Sequence, residues 1–141
     1  FLECGADYLL AFEDDAIFTD LSIKRLVDMF RLRFLSNNNL PLYGDLAGGL
    51  PIHILGVAKL ISGYAEQQIR FRKPVTNTAC AYTINRAMAQ SFKLLLTYNP
   101  AYRLIPVDWL INQLFIDLVD GSTAIECFHA LPPVLSHGSI S

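Results

Sequence analysis

Two uninterrupted apolar runs, at 8–12 and 79–84, predict strands. Each run has the length of a strand that is covered on both faces, and the second is rich in small residues. For the first run, periodicity alone leaves a helical turn open as the alternative. We expect the two runs to lie side by side, or nearly so, in one sheet, with Leu10 and Ile84 fully buried.

Three stretches have the 3.6-residue period of helices with one buried face. The first follows an N-cap pair, Thr19-Asp20, the second follows Asn85, which is suited to cap it, and the third begins at Val107. Their apolar positions, helix by helix, are Ile23, Leu26, Val27, Phe30 and Phe34; then Met88, Phe92 and Leu95; then Val107, Leu110, Ile111, Leu114, Phe115 and Leu118.

The rest of the chain adds weaker strand signals to this alternation. Residues 52–57 and 124–128 are short apolar runs, 69–73 alternates apolar and basic residues, and 40–50 is loop-like because of its proline and glycines. Strands that alternate with helices predict an α/β domain with a mainly parallel sheet and helices on both faces. The whole of 1–141 is then one domain or part of one.

Composition narrows the class of protein. Hydrophobic residues make up 52% of the chain and charged residues 17%, which is typical of a globular, core-rich domain. The net charge of -2 provides no long-range attraction for nucleic acid or an anionic membrane. No apolar stretch is long enough to predict a membrane span. The three cysteines are widely spaced, and we expect Cys80 and Cys127, which lie within apolar runs, to be buried free thiols.

The acidic triplet Glu13-Asp14-Asp15 directly follows the first predicted strand. Three adjacent carboxylates repel one another, and a divalent cation such as Mg2+ or Mn2+ would offset their charge. In open α/β sheets, ligands bind at the carboxyl ends of strands. A polar turn into the first helix explains the same residues, because Asp is favoured near helix starts. The triplet alone leaves both interpretations open.

Asp108 and His137 are two further candidates, each with an ordinary structural explanation. Asp108 lies in the first turn of the third predicted helix, where the helix dipole favours a carboxylate. His137 lies between Ser136 and Gly138 in a loop, where it is available as a metal or phosphate ligand. Neither residue decides by itself between a binding role and a structural one.

Four blocks of sequence, in this order, carry a resemblance to a known family. They are Phe12-Glu13-Asp14-Asp15-Ala16, Ile54-Leu55-Gly56, the segment 78–89 and Ile105-Pro106-Val107-Asp108, and the segment 132–139 is similar to the family's closing segment. In these blocks the chain resembles glycosyltransferase family 25, which includes lipopolysaccharide-biosynthesis galactosyltransferases and procollagen galactosyltransferases. The likeness spans most of the chain.

The resemblance implies a GT-A fold, a nucleotide-binding α/β domain whose acidic motif holds a divalent metal, Mn2+ or Mg2+, against the donor diphosphate. Asp15 is then the first metal ligand, with Glu13 and His137 as further ligands. Glu13 and Asp14, together with Tyr82, are expected to contact the nucleotide-sugar donor.

The implied reaction is an inverting transfer of a sugar, galactose being one candidate, from a donor such as UDP-galactose to a hydroxyl of a glycan or glycoprotein. The match at Pro-Val-Asp implies Asp108 as the base that takes the acceptor's proton. Tyr82, Trp109 and Asn112 are candidates for holding the acceptor.

Two alternatives to an active glycosyltransferase stay open. One is a glycosyltransferase-like domain that has lost catalysis and serves as a binding or scaffolding module, and the other is a metal-dependent phosphohydrolase that uses the same acids. The family normally has an N-terminal section ahead of the acidic strand, with the first strands of the nucleotide-binding half. This chain begins almost at the motif, and we therefore expect it to be a fragment.

Overall fold

The computed structural model describes residues 1–35, 39–47, 58–61, 67–71, 73–76 and 78–138. Within these residues there are three α-helices, α1 (Ser22–Leu35), α2 (Arg86–Tyr98) and α3 (Val107–Asp120), and a 3-10 helix, Pro100–Leu104, joins the last two. The strands are β1 (Tyr8–Phe12), β2 (Ala16–Ile17), β3 (Leu42–Asp45), β4 (Ala58–Ile61), β5 (Gln67–Phe71), β6 (Ala81–Asn85), β7 (Glu126–Leu131) and β8 (Ser136–His137).

Six of these strands form one sheet in the order β1-β6-β3-β7-β5-β4. The neighbours β3 and β7 are parallel, and the four other pairs of neighbours are antiparallel. The class is therefore mixed α/β, and the prediction of a mainly parallel sheet is wrong. The physical reason is that β6 inserts between β1 and β3, which run in the same direction, and is antiparallel to both.

The two apolar runs do lie side by side, because β1 pairs with β6 along its whole length. Ile84 is buried as expected, at 5% exposed, but Leu10 is 38% exposed, so the prediction of full burial for Leu10 is wrong. β1 stands at the end of the strand order and has one neighbour among the described strands. A strand with one neighbour packs against fewer side chains than a central one.

Helices pack on opposite faces of the sheet. Leu26 and Met29 of α1 belong to one buried cluster with Phe128 of β7, whereas α2 and α3 contribute to a second cluster that includes Tyr43 of β3. Four of the six residues of the predicted α3 stripe are buried: Ile111, Leu114, Phe115 and Leu118. The prediction is wrong for Val107, which is 45% exposed in the first turn of the helix, and Leu110 is half-buried.

The predicted stripe of α1 is rotated relative to the buried face that the structure shows. Ile23 is 67% exposed and Val27 is 43% exposed, while Ser22 and Met29 are buried. The predicted stripe was the larger set of apolar residues on α1. The face of α1 that is buried in the structure is the one that includes Ser22. That serine is satisfied because its hydroxyl donates to the backbone oxygen of Val134 at 2.7 Å.

Local signals fix two boundaries. The Asn85 side-chain oxygen accepts from the backbone N–H of Met88 at 2.9 Å, which confirms the predicted cap of α2. β3 lies where a loop was predicted, because Gly44 broke the apolar pattern; a Cβ at Gly44 would meet the Phe128 ring at 2.3 Å. The predicted strand at 52–57 lies outside the described residues. No helix in the described part of the chain has the length and apolar character needed to cross a membrane.

Candidate metal centre

One edge of the sheet collects the candidate residues. Because β1, β3 and β7 run in the same direction and β6 runs opposite to them, the carboxyl ends of the three strands lie beside the amino end of β6. The acidic triplet follows β1, Cys80 immediately precedes β6, and the chain after β7 returns to this edge. Its return is fixed by Leu46, whose backbone oxygen accepts from the N–H groups of Val134 and Leu135.

Four side chains converge at this edge. Glu13, Asp15, Cys80 and His137 each offer one ligand atom, and these four atoms all lie within 4.8 Å of one another. The structure thus brings together the three residues named from the sequence as metal ligands and adds Cys80. We call this set the four-residue group.

Backbone hydrogen bonds position the group from both sides. The backbone N–H of Glu13 donates to the backbone oxygen of Cys80 at 2.8 Å. This bond continues the β1–β6 pairing by one residue. On the other side, β2 and β8 form a two-stranded ribbon in which Ala16 is the partner of His137. The Gly138 N–H then donates to the backbone oxygen of Asp15 at 2.8 Å. A Cβ at Gly138 would lie 2.7 Å from that same Asp15 oxygen, so glycine permits the close approach.

The Asp15 carboxylate has one oxygen that the protein leaves unsatisfied. Oδ2 lies 3.6 Å from Nε2 of His137. Oδ1 is buried and has no hydrogen-bond partner among the described residues. A buried carboxylate oxygen without a partner loses its hydration and gains nothing in return, unless a cation binds there.

Negative charge dominates the electrostatics of the group. Burial raises the pKa of Glu13, and the neighbouring charges of Asp108 and Asp15 raise it further. Burial is also the first cause that raises the pKa of the Cys80 thiol to about 11, followed by the charges of Asp15 and Glu13. In both groups desolvation is the first cause and the nearby carboxylates are the second, so the charged forms of Glu13 and Cys80 are disfavoured at this edge.

Asp108 lies next to the group but is anchored elsewhere. Its Oδ1 accepts from the Ala79 N–H at 2.6 Å, which ties the first turn of α3 to the residues that lead into β6. Ala79 immediately precedes Cys80, so this hydrogen bond places Asp108 beside the group, and the charge of Asp108 contributes to the raised pKa of Glu13. Asn112, one turn later, is occupied by backbone contacts, because it accepts from the Thr76 N–H and donates to the Thr76 oxygen.

Tyr82 and Asp14 take different positions. Tyr82 lies on β6, stacks on the Tyr43 ring with centroids 5.5 Å apart, and is half-buried. Burial raises the pKa of Tyr82, and the charge of Glu13 adds to the rise, so the phenol is near the acids. Asp14 is exposed in the turn after β1 and is not a member of the four-residue group.

The chemistry of the four donors fits a divalent cation. Two carboxylates, an imidazole and a thiol are all established ligand types, and one Asp15 oxygen has no hydrogen-bond partner among the described residues. Sequence reasoning missed Cys80 because an isolated cysteine in an apolar run is indistinguishable from a core thiol. The available signal was the predicted pairing of the two strands that carry Cys80 and the acids.

No protein-family model, curated protein or solved structure matches this chain.

Proposed function

We propose that this chain carries the metal-binding edge of a glycosyltransferase that moves a sugar from a nucleotide-sugar to a hydroxyl acceptor. Galactose is the first candidate for the sugar, and a glycan or glycoprotein is the candidate acceptor. The observation that supports the proposal most is the approach of Glu13, Asp15 and His137 to within 4.8 Å at a sheet edge that also holds Asp108.

The metal-binding residues have distinct parts in this proposal. Asp15 presents its unsatisfied Oδ1, and Glu13 and His137 close the cluster from the β1 turn and from β8. The resemblance implies Mn2+ or Mg2+, and a divalent cation bound by these residues would supply Lewis-acid neutralisation of the diphosphate leaving group. Asp14, which is exposed, and Tyr82, which is half-buried, are the proposed contacts to the donor.

Asp108 is the proposed base. One of its oxygens is held by the Ala79 N–H, and no hydrogen bond within the described residues engages the other. That second oxygen is available to accept the proton of an acceptor hydroxyl, while the first keeps the carboxylate oriented. The anchored carboxylate supports the proposed role because one oxygen orients the group and the other has no hydrogen bond within the described residues.

The test is metal-dependent turnover of a panel of nucleotide-sugars by the purified full-length protein. We expect release of nucleoside diphosphate with Mn2+ and its loss with chelator, and we expect Asp15→Asn to abolish the release. Asp20→Asn, which alters an exposed aspartate outside the four-residue group, is the matched control and should keep the activity. Turnover of no donor in the panel, or full turnover by Asp15→Asn, would overturn the proposal.

A further inference from the structure

We infer that the Cys80 sulfur is a fourth metal ligand, so that this site takes a thiophilic divalent cation such as Zn2+ or Co2+ in preference to Mg2+. The inference deepens the proposed metal site and rests on it, but it concerns the identity of the ligands and of the metal rather than sugar transfer.

The geometry of the donors is close to that of a four-coordinate site. Tetrahedral Zn2+ with ligands at about 2.0–2.3 Å has its ligand atoms about 3.3–3.8 Å apart. The four atoms in this protein lie within 4.8 Å of one another, so they need to move inward by about 1 Å at most to reach that shell. Side-chain torsions of Glu13 and His137, which are not fully buried, can supply that movement.

The position of Cys80 distinguishes it from an ordinary core cysteine. Cys80 is 0% exposed, and its backbone oxygen accepts from the Glu13 N–H, so the backbone of Cys80 is held beside the acids. Cys127 is the contrast: it is also buried, but its thiol donates to the Val75 oxygen at 3.7 Å and it belongs to the cluster on the α3 face.

A second observation that points to a cation concerns the Asp15 carboxylate. Oδ1 of Asp15 is buried without a hydrogen-bond partner in the described part of the chain, while the Asp15 side chain as a whole is 33% exposed. Hard cations such as Mg2+ bind oxygen almost exclusively, whereas thiolate and imidazole favour Zn2+ and related metals. A set with one sulfur, one nitrogen and two carboxylates therefore selects against Mg2+.

Metal binding at the four-residue group releases one proton. The Cys80 thiol releases its proton to solvent, and the thiolate sulfur forms the bond to the metal, with no change of oxidation state. Glu13, Asp15 and the neutral imidazole of His137 contribute lone pairs without forming or breaking other bonds.

The decisive experiment is optical titration of the full-length protein with Co2+ in a Cys4→Ser background, which removes the exposed thiol. A sulfur-to-cobalt charge-transfer band in the near ultraviolet reports a thiolate ligand directly. We expect the band in the Cys4→Ser protein and in Cys4→Ser/Cys127→Ser, the matched buried-thiol control. We expect no band in Cys4→Ser/Cys80→Ser, with Zn2+ affinity lowered at least about tenfold and Mn2+ affinity changed much less.

Several results would overturn the inference. One is Co2+ binding without the charge-transfer band in the Cys4→Ser protein, which decides the question even if the Cys80 variant fails to fold. Others are persistence of the band in the Cys80 variant, and tighter binding of Mg2+ than of Zn2+. If the protein transfers sugar with Mn2+ but shows no charge-transfer band, only the assignment of Cys80 as a ligand is contradicted. If it shows the band but transfers no sugar, only the proposed enzymatic function is contradicted.

Discussion

At the scale of single residues, Asp15 combines two properties that are seldom found together in a structural aspartate. One of its oxygens is buried and unsatisfied, and the charge of a second carboxylate, Glu13, lies close to it. Such a residue costs stability in the absence of a cation and gains its value from binding one.

The first prediction follows from this imbalance. Asp15→Asn removes a charge that the metal-free protein does not compensate fully, so its thermal midpoint in chelator should equal or exceed that of the wild type. The same change should abolish Mn2+ binding in isothermal titration. Asp20→Asn is the control, and a large fall in the midpoint with metal binding intact would show that Asp15 is structural.

The second prediction concerns pH. The pKa of Glu13 is raised above its ordinary value near 4.5, so the folded protein holds that proton more tightly than the unfolded chain does. The corresponding stability is present below that ordinary value and is lost as the pH rises through the raised pKa. In chelator, Glu13→Gln should match the wild type near pH 4 and become slightly more stable than the wild type toward neutral pH.

Thermal melts across this pH range, with Glu3→Gln as the exposed-glutamate control, measure the difference. A constant offset between Glu13→Gln and the wild type at all pH values would contradict the assigned repulsion. Saturating metal should reverse the order at neutral pH, because the variant has lost a ligand.

The residues of the site were predictable in part. The acids, His137 and Asp108 were named from the triplet, from the sequence around a loop histidine and from a family resemblance, and the structure places all of them at one edge. Cys80 was not named, because its relation to Asp15 depends on the pairing of two strands that are 65 positions apart in sequence (80 − 15). Side-chain type identifies a donor, but only the register of a sheet identifies its neighbours.

At the scale of elements, α3 carries a carboxylate that serves both the fold and the proposed reaction. The bond from the Ala79 N–H to Asp108 joins the helix start to β6, and an Asn at 108 keeps an oxygen acceptor for it. We expect Asp108→Asn to retain its thermal midpoint and to lose about 10²–10⁴-fold in turnover as the full-length enzyme.

Asp108→Ala separates the two roles further. It should lose both turnover and stability, the latter by about 1–3 kcal/mol because the Ala79 N–H is left without its acceptor. Turnover of the Asn variant above about a tenth of the wild-type value lies well outside the range for a general base. Asp108 would then be an anchor of α3 alone.

The pairing of β1 with β6 predicts different losses of stability for a residue on each of the two strands. Ile84 is 5% exposed and lies in the cluster with α2 and α3, so Ile84→Ala should cost about 2–5 kcal/mol in denaturant unfolding. Leu10 pairs one residue away on β6, with Thr83, but is 38% exposed, and Leu10→Ala should cost clearly less. Equal costs for the two variants would mean that β1 is covered in solution.

Element types were predicted better than their directions. Apolar runs such as 8–12 and 79–84 identify strands, but an antiparallel and a parallel neighbour bury the same side chains, so the mixed sheet was not predictable from them. The helical period of the apolar residues likewise identified α1 but not the face that is buried. Ser22 is buried because it bonds to Val134, a residue 112 positions away in the sequence.

At the scale of the whole molecule, α1 is fastened to the segment that delivers His137 to the site. Ser22 donates to the Val134 oxygen, and the Arg25 guanidinium donates to the oxygens of Pro132 and Pro133. The position of His137 therefore depends on a helix near the other end of the described chain.

This dependence gives the last prediction. Ser22→Ala should lower stability by about 1–3 kcal/mol, because a buried hydrogen bond is lost. It should also weaken metal binding, although Ser22 contributes no ligand. Ser91→Ala, which removes a hydroxyl bonded only within α2 to Ala87, is the matched control in both the unfolding and the titration measurements. Unchanged metal affinity in Ser22→Ala would show that β8 is held in place without α1.

The β2–β8 ribbon has a consequence for synthesis of the protein. Residues 16–17 pair with 136–137, so this pairing can form only after nearly all of the described chain has left the ribosome. Until then the acids of the β1 turn have neither His137 nor a complete set of donors around them. The proposed cation would therefore bind only to chains in which this pairing has formed, and a cobalt or zinc signal would count chains that have folded rather than all chains that have been synthesised.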